Sequence, residues 1–263
     1  MSTNILLPRP HRILAINQET EHEYTFRVES GAAAKHGQFY QLSLPKIGEA
    51  PISVSAMGDG WLEFTIRKVG KLTSEVFRLR PGDRLFMRGP YGKPFPIDDF
   101  KHGDLVVIAG GTGVAPVRST LRYFYEHPEE IKEVYFLAGF RDEGSILFRA
   151  DLERFKARFH TIYTLDRDRV DGFETGLVTR HLGRIPFSTL TRYHVIIVGP
   201  PVMMHHTALK CLEYGVPEEK IWVSFERRMS CAVGKCGHCK INETYVCLEG
   251  PVFNYTKAKE LWD

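Results

Sequence analysis

The rhythm of hydrophobic and polar positions changes once along this chain. Up to about residue 100 the apolar residues come in short, partly alternating runs, EYTFRVES, GQFYQLSL, PISVSAM, WLEFTIRKV and DRLFMRGP, parted by Gly, Asp and Pro. Such runs predict strands with one buried face, and their regular spacing predicts a closed β-barrel. One stretch, KLTSEVFRLRPGD, breaks the alternation; Thr73 or Ser74 is placed there to cap a short helix that ends before Pro81-Gly82. Beyond KPFPIDDFKHGD the apolar runs become nearly continuous: LVVIAG, EVYFLAGF, HTIYTLD, YHVIIVGP and KIWVSF. Helix candidates VRSTLRYFYEHPEE, ILFRADLERFKARF and PVMMHHTALKCLEYG lie between them. Apolar strands alternating with helices predict a parallel sheet covered on both faces. Residues 225–263 follow neither rhythm. The expected organisation is therefore a barrel over 1–100, an α/β parallel-sheet domain over 101–224, and a small C-terminal segment over 225–263.

Composition narrows the function classes. A chain of 263 residues, 43% hydrophobic and 25% charged, is long enough for two cores. A net charge of +3 without a basic block argues against nucleic acid. No apolar run has the length of a signal peptide or a membrane span, so a cytoplasmic protein is expected. In that compartment clustered cysteines bind metal or do redox work more often than they form disulfides.

Four of the five cysteines stand together, spaced Cys231-x4-Cys236-x2-Cys239-x7-Cys247. The first three match the C-x4-C-x2-C loop that wraps a 2Fe–2S cluster, completed by a more distant fourth thiolate. Ala232, Gly234 and Gly237 suit a loop whose amides approach sulfur. Structural zinc is the rival; it usually uses two short hooks, and only one C-x2-C is present. His238 is a further donor candidate, whereas Cys211, on a predicted helix, reads as a buried small hydrophobe.

Two glycine turns follow strands. AGGTGVAP, with Gly110, Gly111, Thr112, Gly113 and Pro116, opens a helix and can face a phosphate, although any tight strand–helix turn needs glycine. GPPVMM, with Gly199 and Pro200, stands in the same position after a later strand. APISVS and IRKVGKLTS, taken singly, read as a strand with Pro51 at an edge and as a capped helix.

Taken in order, PIS, VGKLTS, GGTGVAP, VGPPVMM and the cysteine tail resemble the ferredoxin–NADP reductase family with an added 2Fe–2S segment. Within it, GEAPISVS, ERRMSCAVGKCGHC and YVCLEGPVFNY are similar to the electron-transfer subunits of anaerobic sulfite reductases. The resemblance implies an enzyme subunit that oxidises NADH, or less readily NADPH, through FAD and the cluster. Electrons would go to a catalytic subunit for the six-electron reduction of sulfite to sulfide, with a further iron–sulfur subunit as another partner. The alternatives are the equivalent subunits of a sulfur-reducing hydrogenase or of dihydroorotate dehydrogenase, and more remotely a non-catalytic zinc-containing binding protein. By the same resemblance Pro51, Ile52, Ser53 and Val54 line the flavin, with Ser53 near its reactive edge. Arg67, Lys68, Gly70, Thr73 and Ser74 face its pyrophosphate, and the two glycine turns take the nicotinamide nucleotide. The family's R-x-Y-S flavin motif is here Ala50-Pro51-Ile52-Ser53, which removes a phosphate partner and a ring stack and leaves FAD against FMN open. Asp166, where NADP-dependent members place a Ser-Arg pair, favours NADH, because a carboxylate repels a 2′-phosphate. No catalytic side chain is expected, since the chemistry belongs to the cofactors. With four cysteines used, Cys211 alone cannot hold a sirohaem-linked centre, so sulfite would be reduced on another subunit. The tail 253–263 is the expected partner surface, with packing of a C-terminal helix as the alternative.

Overall fold

The computed structural model describes residue 4 and residues 6–262, which divide into two compact units. The first comprises 1–94 together with 226–251, the second 95–225 together with 252–263.

In the first unit six strands close a barrel: β1 (Arg9–Gln18), β2 (Glu23–Glu29), β3 (Phe39–Leu44), β4 (Gly48–Gly58), β5 (Trp61–Arg67) and β6 (Arg84–Tyr91). Their order round the barrel is β1-β2-β5-β4-β3-β6, every pairing antiparallel. Alternation fills its interior with Phe26, Tyr40, Leu42, Phe64, Ile66 and Leu85. Helix α1 (Lys71–Val76) lies between β5 and β6. Its N-cap is Gly70, not Thr73 or Ser74. The Thr73 hydroxyl instead reaches back, accepting from the amides of Val69 and Gly70 at 2.9 and 3.0 Å. Pro51 is tolerated because β4 pairs with β5 only from Val54 onward, so its ring faces no missing donor on that side.

The second unit begins with the single turn α2 (Ile97–Phe100) and continues β7 (Asp104–Gly110), α3 (Val114–Glu126), β8 (Glu133–Phe140), α4 (Arg149–Lys156), β9 (His160–Leu165), β10 (Glu174–Thr175), β11 (Tyr193–Val198), α5 (Pro201–Glu213) and β12 (Ile221–Ser224). The chain then leaves for the first unit, through the hairpin β13 (Lys240–Ile241) and β14 (Thr244–Tyr245) and the turn α6 (Val246–Glu249). It returns as β15 (Val252–Asn254) and the turn α7 (Tyr255–Ala258). The sheet order is β10-β9-β8-β7-β11-β12-β15, parallel throughout except for the last pair. Phe124, Phe136, Phe140 and Phe155 pack beneath it.

The tail differs from expectation. Residues 252–254 form a sheet strand against β12, and Phe253, Tyr255, Ala258 and Leu261 are buried. The tail therefore packs one face into the second unit as a strand and one turn, and leaves Thr256, Lys257, Lys259 and Glu260 exposed. No helix among the described residues is long and apolar enough to cross a membrane.

Candidate functional site

The strand order reverses at β7. From there the chain runs outward through β8 and β9, then comes back to the other side of β7 as β11. Open α/β sheets bind ligands in the crevice beyond the carboxyl ends of the strands at such a reversal. The turns after β7 and β11 are the two glycine motifs. They touch backbone to backbone: a Cβ on Gly113 would lie 2.4 Å from the Val198 carbonyl oxygen and 2.8 Å from the Gly199 Cα. A Cβ on Gly199 would stand 3.2 Å from the Gly110 amide. Gly111 adopts φ +53 with nothing within 4 Å of its missing side chain, so the outer face of this turn is clear. Helix α3 starts directly behind it and α5 behind the second turn, and helix N-termini favour anions. Pro116 sits in the first turn of α3 and Pro200 caps α5, positions where a missing amide hydrogen costs little. Asp166 follows β9 on the same edge of the sheet, its amide donating to the Phe140 carbonyl at 3.0 Å. Its carboxyl is exposed and raised from the ordinary aspartate range, by burial first and against the pull of Arg167.

In the first unit the clustered thiols act on one another electrostatically, Cys236 with Cys231 and Cys247 with both Cys239 and Cys231. Among the described residues no three His, Cys, Asp or Glu side chains converge on one point. Five amides donate to the sulfurs: Val233, Lys235 and Cys236 to Cys231 Sγ at 3.5, 3.3 and 3.4 Å, Gly234 to Cys247 Sγ at 3.3 Å, and Cys247 to Cys239 Sγ at 3.4 Å. The turn achieves this through left-handed backbone at Ala232, Gly234 and Gly237 (φ +61, +68, +81), which aims successive N–H groups inward. Backbone donors, that of Cys231 first, bring the exposed Cys236 thiol down to about 7. Burial pushes Cys247 up to about 12.

On the outer wall of the barrel, Pro51 and Ser53 alternate with Ile52 and Val54, whose side chains join the interior. Arg67 ends β5 and pairs with Glu23 at 3.2 Å. Lys68 is exposed, whereas Thr73 is buried.

Residues 107–208 match the family model of the oxidoreductase NAD-binding domain, and residues 226–259 match the iron–sulfur cluster binding domain of dihydroorotate dehydrogenase B. The gamma subunit of sulfhydrogenase 1 from Pyrococcus furiosus is 38% identical over 90% of this chain and 86% of its own length. A probable electron-transfer subunit of dihydroorotate dehydrogenase B from Methanocaldococcus jannaschii is 32% identical over 94% of this chain and 90% of its own. This chain belongs to the ferredoxin reductase-like electron-transfer subunits. In fold it is similar to a solved NADH-dependent reduced ferredoxin–NADP oxidoreductase, with TM-score 0.80 and 24% identity over 99% of this chain and 93% of that one.

This electron-transfer subunit is thus an NAD(P)H-dependent oxidoreductase component with an NAD-binding domain and an iron–sulfur-binding segment. Its structure brings Gly110, Gly111, Thr112, Gly113, Gly199 and Pro200 to one crevice, and joins the turn that bears Cys231, Cys236 and Cys239 to Cys247 on α6 through amide–sulfur bonds. Val54 belongs to the barrel's buried cluster, Ile52 packs half-buried against it, and Thr73 is buried on α1. Cys211 is fully buried, as a small hydrophobe would be, and its thiol is pushed up to about 12.

One group escaped the sequence reading. Arg88 on β6 and Gln41 on β3 are buried on the outer wall of the barrel, directly opposite each other in the ladder. Gln41 Nε2 donates to the Met229 carbonyl at 3.2 Å; Arg88 Nη2 and Nη1 donate to those of Ser230 and Cys231 at 2.7 and 2.8 Å. Glu49 holds the same guanidinium from β4, at 2.9 Å from Nε and with a second contact to Nη2. Their only signal was a polar residue inside FYQLSL and another inside LFMRGPY, which strand alternation alone assigns to solvent.

Proposed function

We infer that this chain takes reducing equivalents from NADH and passes them, one electron at a time, to a catalytic partner subunit. When bound, FAD supplies the change from two-electron to one-electron chemistry, and a 2Fe–2S cluster supplies the outlet. The observation that carries this reading is the set of five amides that donate to the sulfurs of Cys231, Cys239 and Cys247, in a segment that matches the iron–sulfur cluster binding domain. Four thiolates, two for each of two irons, are the ligand set of a 2Fe–2S cluster. The five amide–sulfur hydrogen bonds would offset negative charge on the sulfurs and raise the reduction potential.

The remaining residues bind and orient. Gly111, Thr112 and Gly113, with Pro116 behind them and Gly110, Gly199 and Pro200 beside them, form the cradle for the nucleotide phosphates. Asp166 receives the ribose hydroxyl and disfavours a 2′-phosphate. Pro51 and Ser53 present the flat outer wall to the flavin ring, Ser53 offering the hydroxyl, while Ile52 and Val54 hold that strand from within. Arg67, Lys68 and Ser74, with the amides at Gly70 and the start of α1, face the FAD pyrophosphate.

Chain purified without oxygen should carry about one FAD, two irons and two acid-labile sulfides. Stoichiometric zinc without flavin would overturn the reading. Asp166→Ser should raise kcat/KM for NADPH relative to NADH by about tenfold, the effect of roughly one charge repulsion. An unchanged ratio would remove Asp166 from nucleotide choice.

For the partner, the relatives favour a hydrogenase catalytic subunit, since the sulfhydrogenase gamma subunit matches at 38% identity; a dihydroorotate dehydrogenase subunit is the related case. A sulfite-reducing subunit is the second reading, supported by the motifs ERRMSCAVGKCGHC and YVCLEGPVFNY. Anaerobic co-purification decides: a partner that oxidises or evolves hydrogen supports the first, a sirohaem absorbance in the partner the second.

A further inference from the structure

We propose that Arg88, Glu49 and Gln41 form a clamp that positions the cysteine segment on the barrel and sets its spacing from the strand that carries Pro51 and Ser53. The inference rests on the function proposed above for those two sites, while the clamp itself is observed independently of it. Three consecutive carbonyls, of Met229, Ser230 and Cys231, are each taken by a barrel side chain. The last of the three belongs to a thiol-bearing residue, Cys231. The far end is fixed as well, the Lys93 amide donating to the Gly250 carbonyl at 2.6 Å just beyond β6.

The ladder explains why this spacing is rigid. Pro51, Gln41 and Arg88 are mutual partners across β4, β3 and β6, so they occupy one rung. Adjacent strands lie about 4.8 Å apart, so the backbone of Arg88, two strands away, lies about 10 Å from that of Pro51. Glu49 stands two residues before Pro51 on the same strand and grips the guanidinium through two nitrogens. A fork with five fixed donors can serve two carbonyls and a carboxylate at once; a lysine ammonium cannot do this in one plane. Tyr91 accepts a further bond from Arg88 Nη1 at 3.1 Å, which completes the guanidinium. Arg88 and Gln41 bond to backbone carbonyls of the segment, and Glu49 bonds to Arg88. They act by position.

The test uses the full chain. In Arg88→Met/Glu49→Gln both charges go, so no carboxylate is left unpaired. In the iron-free chain, hydrogen exchange at amides 230–236 should quicken by about tenfold or more, the loss of two charge-assisted bonds. Amides of β2 and β5, in the same barrel, serve as the fold control and should not change. Arg88→Lys should recover only part of the protection. In chain purified without oxygen, iron should pass to a chelator about tenfold faster. Unchanged exchange and unchanged iron loss would overturn the clamp. Should the double variant lose protection in β2 and β5 too, Gln41→Leu decides, because it removes only the Met229 bond: quickened exchange at 229–231 supports the clamp, and none refutes it. Protected amides in a chain that holds zinc would uphold the clamp and sink the cluster reading, so the two fail separately.

Discussion

Replacing Gly113 by alanine should damage the second unit more than replacing Gly111, although only Gly111 has a left-handed backbone. A methyl on Gly113 would lie 2.4 Å from the Val198 oxygen, 2.6 Å from its carbonyl carbon and 2.8 Å from the Gly199 Cα. All three are backbone atoms at the end of a central strand, so no rotamer change relieves the clash. The two turns must part by about 1 Å, and overpacking of this kind costs about 1–3 kcal/mol. At Gly111 the added methyl meets nothing within 4 Å, and the cost is only that of φ +53, about 1 kcal/mol. In a protein of this size 1 kcal/mol moves Tm by about 2–4 °C, so Gly113→Ala should melt up to about 10 °C lower and Gly111→Ala about 3 °C lower. Because the displaced turn is the proposed phosphate cradle, NADH titration of Gly113→Ala should also show a Kd raised by about tenfold. A Gly113→Ala protein that melts no lower than Gly111→Ala would refute the close packing of the two turns as the reason for the glycine.

Three other outcomes follow from burial. Burial brings His36 down to about 4, so it stays neutral in the fold while the unfolded chain takes up a proton below about 6.5. The stability it carries is therefore complete above about pH 6.5 and lost as pH falls toward 4, up to about 3 kcal/mol, and His36→Gln should flatten that slope in urea titrations at pH 7 and 4.5. Cys211 is fully buried with its thiol pushed up to about 12, so alkylation of the native chain at pH 8, read by peptide mass, should leave it unmodified. Deleting residues 252–262 removes a strand and the buried Phe253, Tyr255 and Leu261, and should lower Tm by 10 °C or more, roughly the effect of three lost core side chains; a deletion that melts normally would restore the tail as a free surface.

How much was legible follows from the range of the interactions. The barrel could be read because Phe26, Val28, Tyr40 and Leu42 alternate with polar neighbours, and the sheet because VVIA and VIIV have no polar face at all. The cysteine spacing and the glycine turns are local patterns, so they too were visible. The β15 strand was not: three residues, VFN, gain their identity only from β12, some 30 positions earlier in the chain. The inward turn of Ile52 and Val54 depends on strand parity, which the motif PISV does not state. Thr73 was read as a cap because threonine commonly caps helices; here a glycine holds that place and the hydroxyl serves the preceding loop. The clamp of Arg88 and Gln41 joins residues about 140 to 190 positions apart and leaves no local trace.

Ser224 and Val252 are paired across β12 and β15, so the chain enters and leaves the cysteine segment at neighbouring points on one sheet edge. What reads in sequence as a terminal extension is, in topology, a stem and loop. Its two ends are held about 5 Å apart by the ladder, a gap that a short turn could span. The cysteine segment is thus an insertion in the sheet's connectivity: joining 224 to 252 by a tight hairpin turn should leave a sheet that still folds, and a reductase of this kind could gain or lose its proposed electron outlet by a single insertion at that edge.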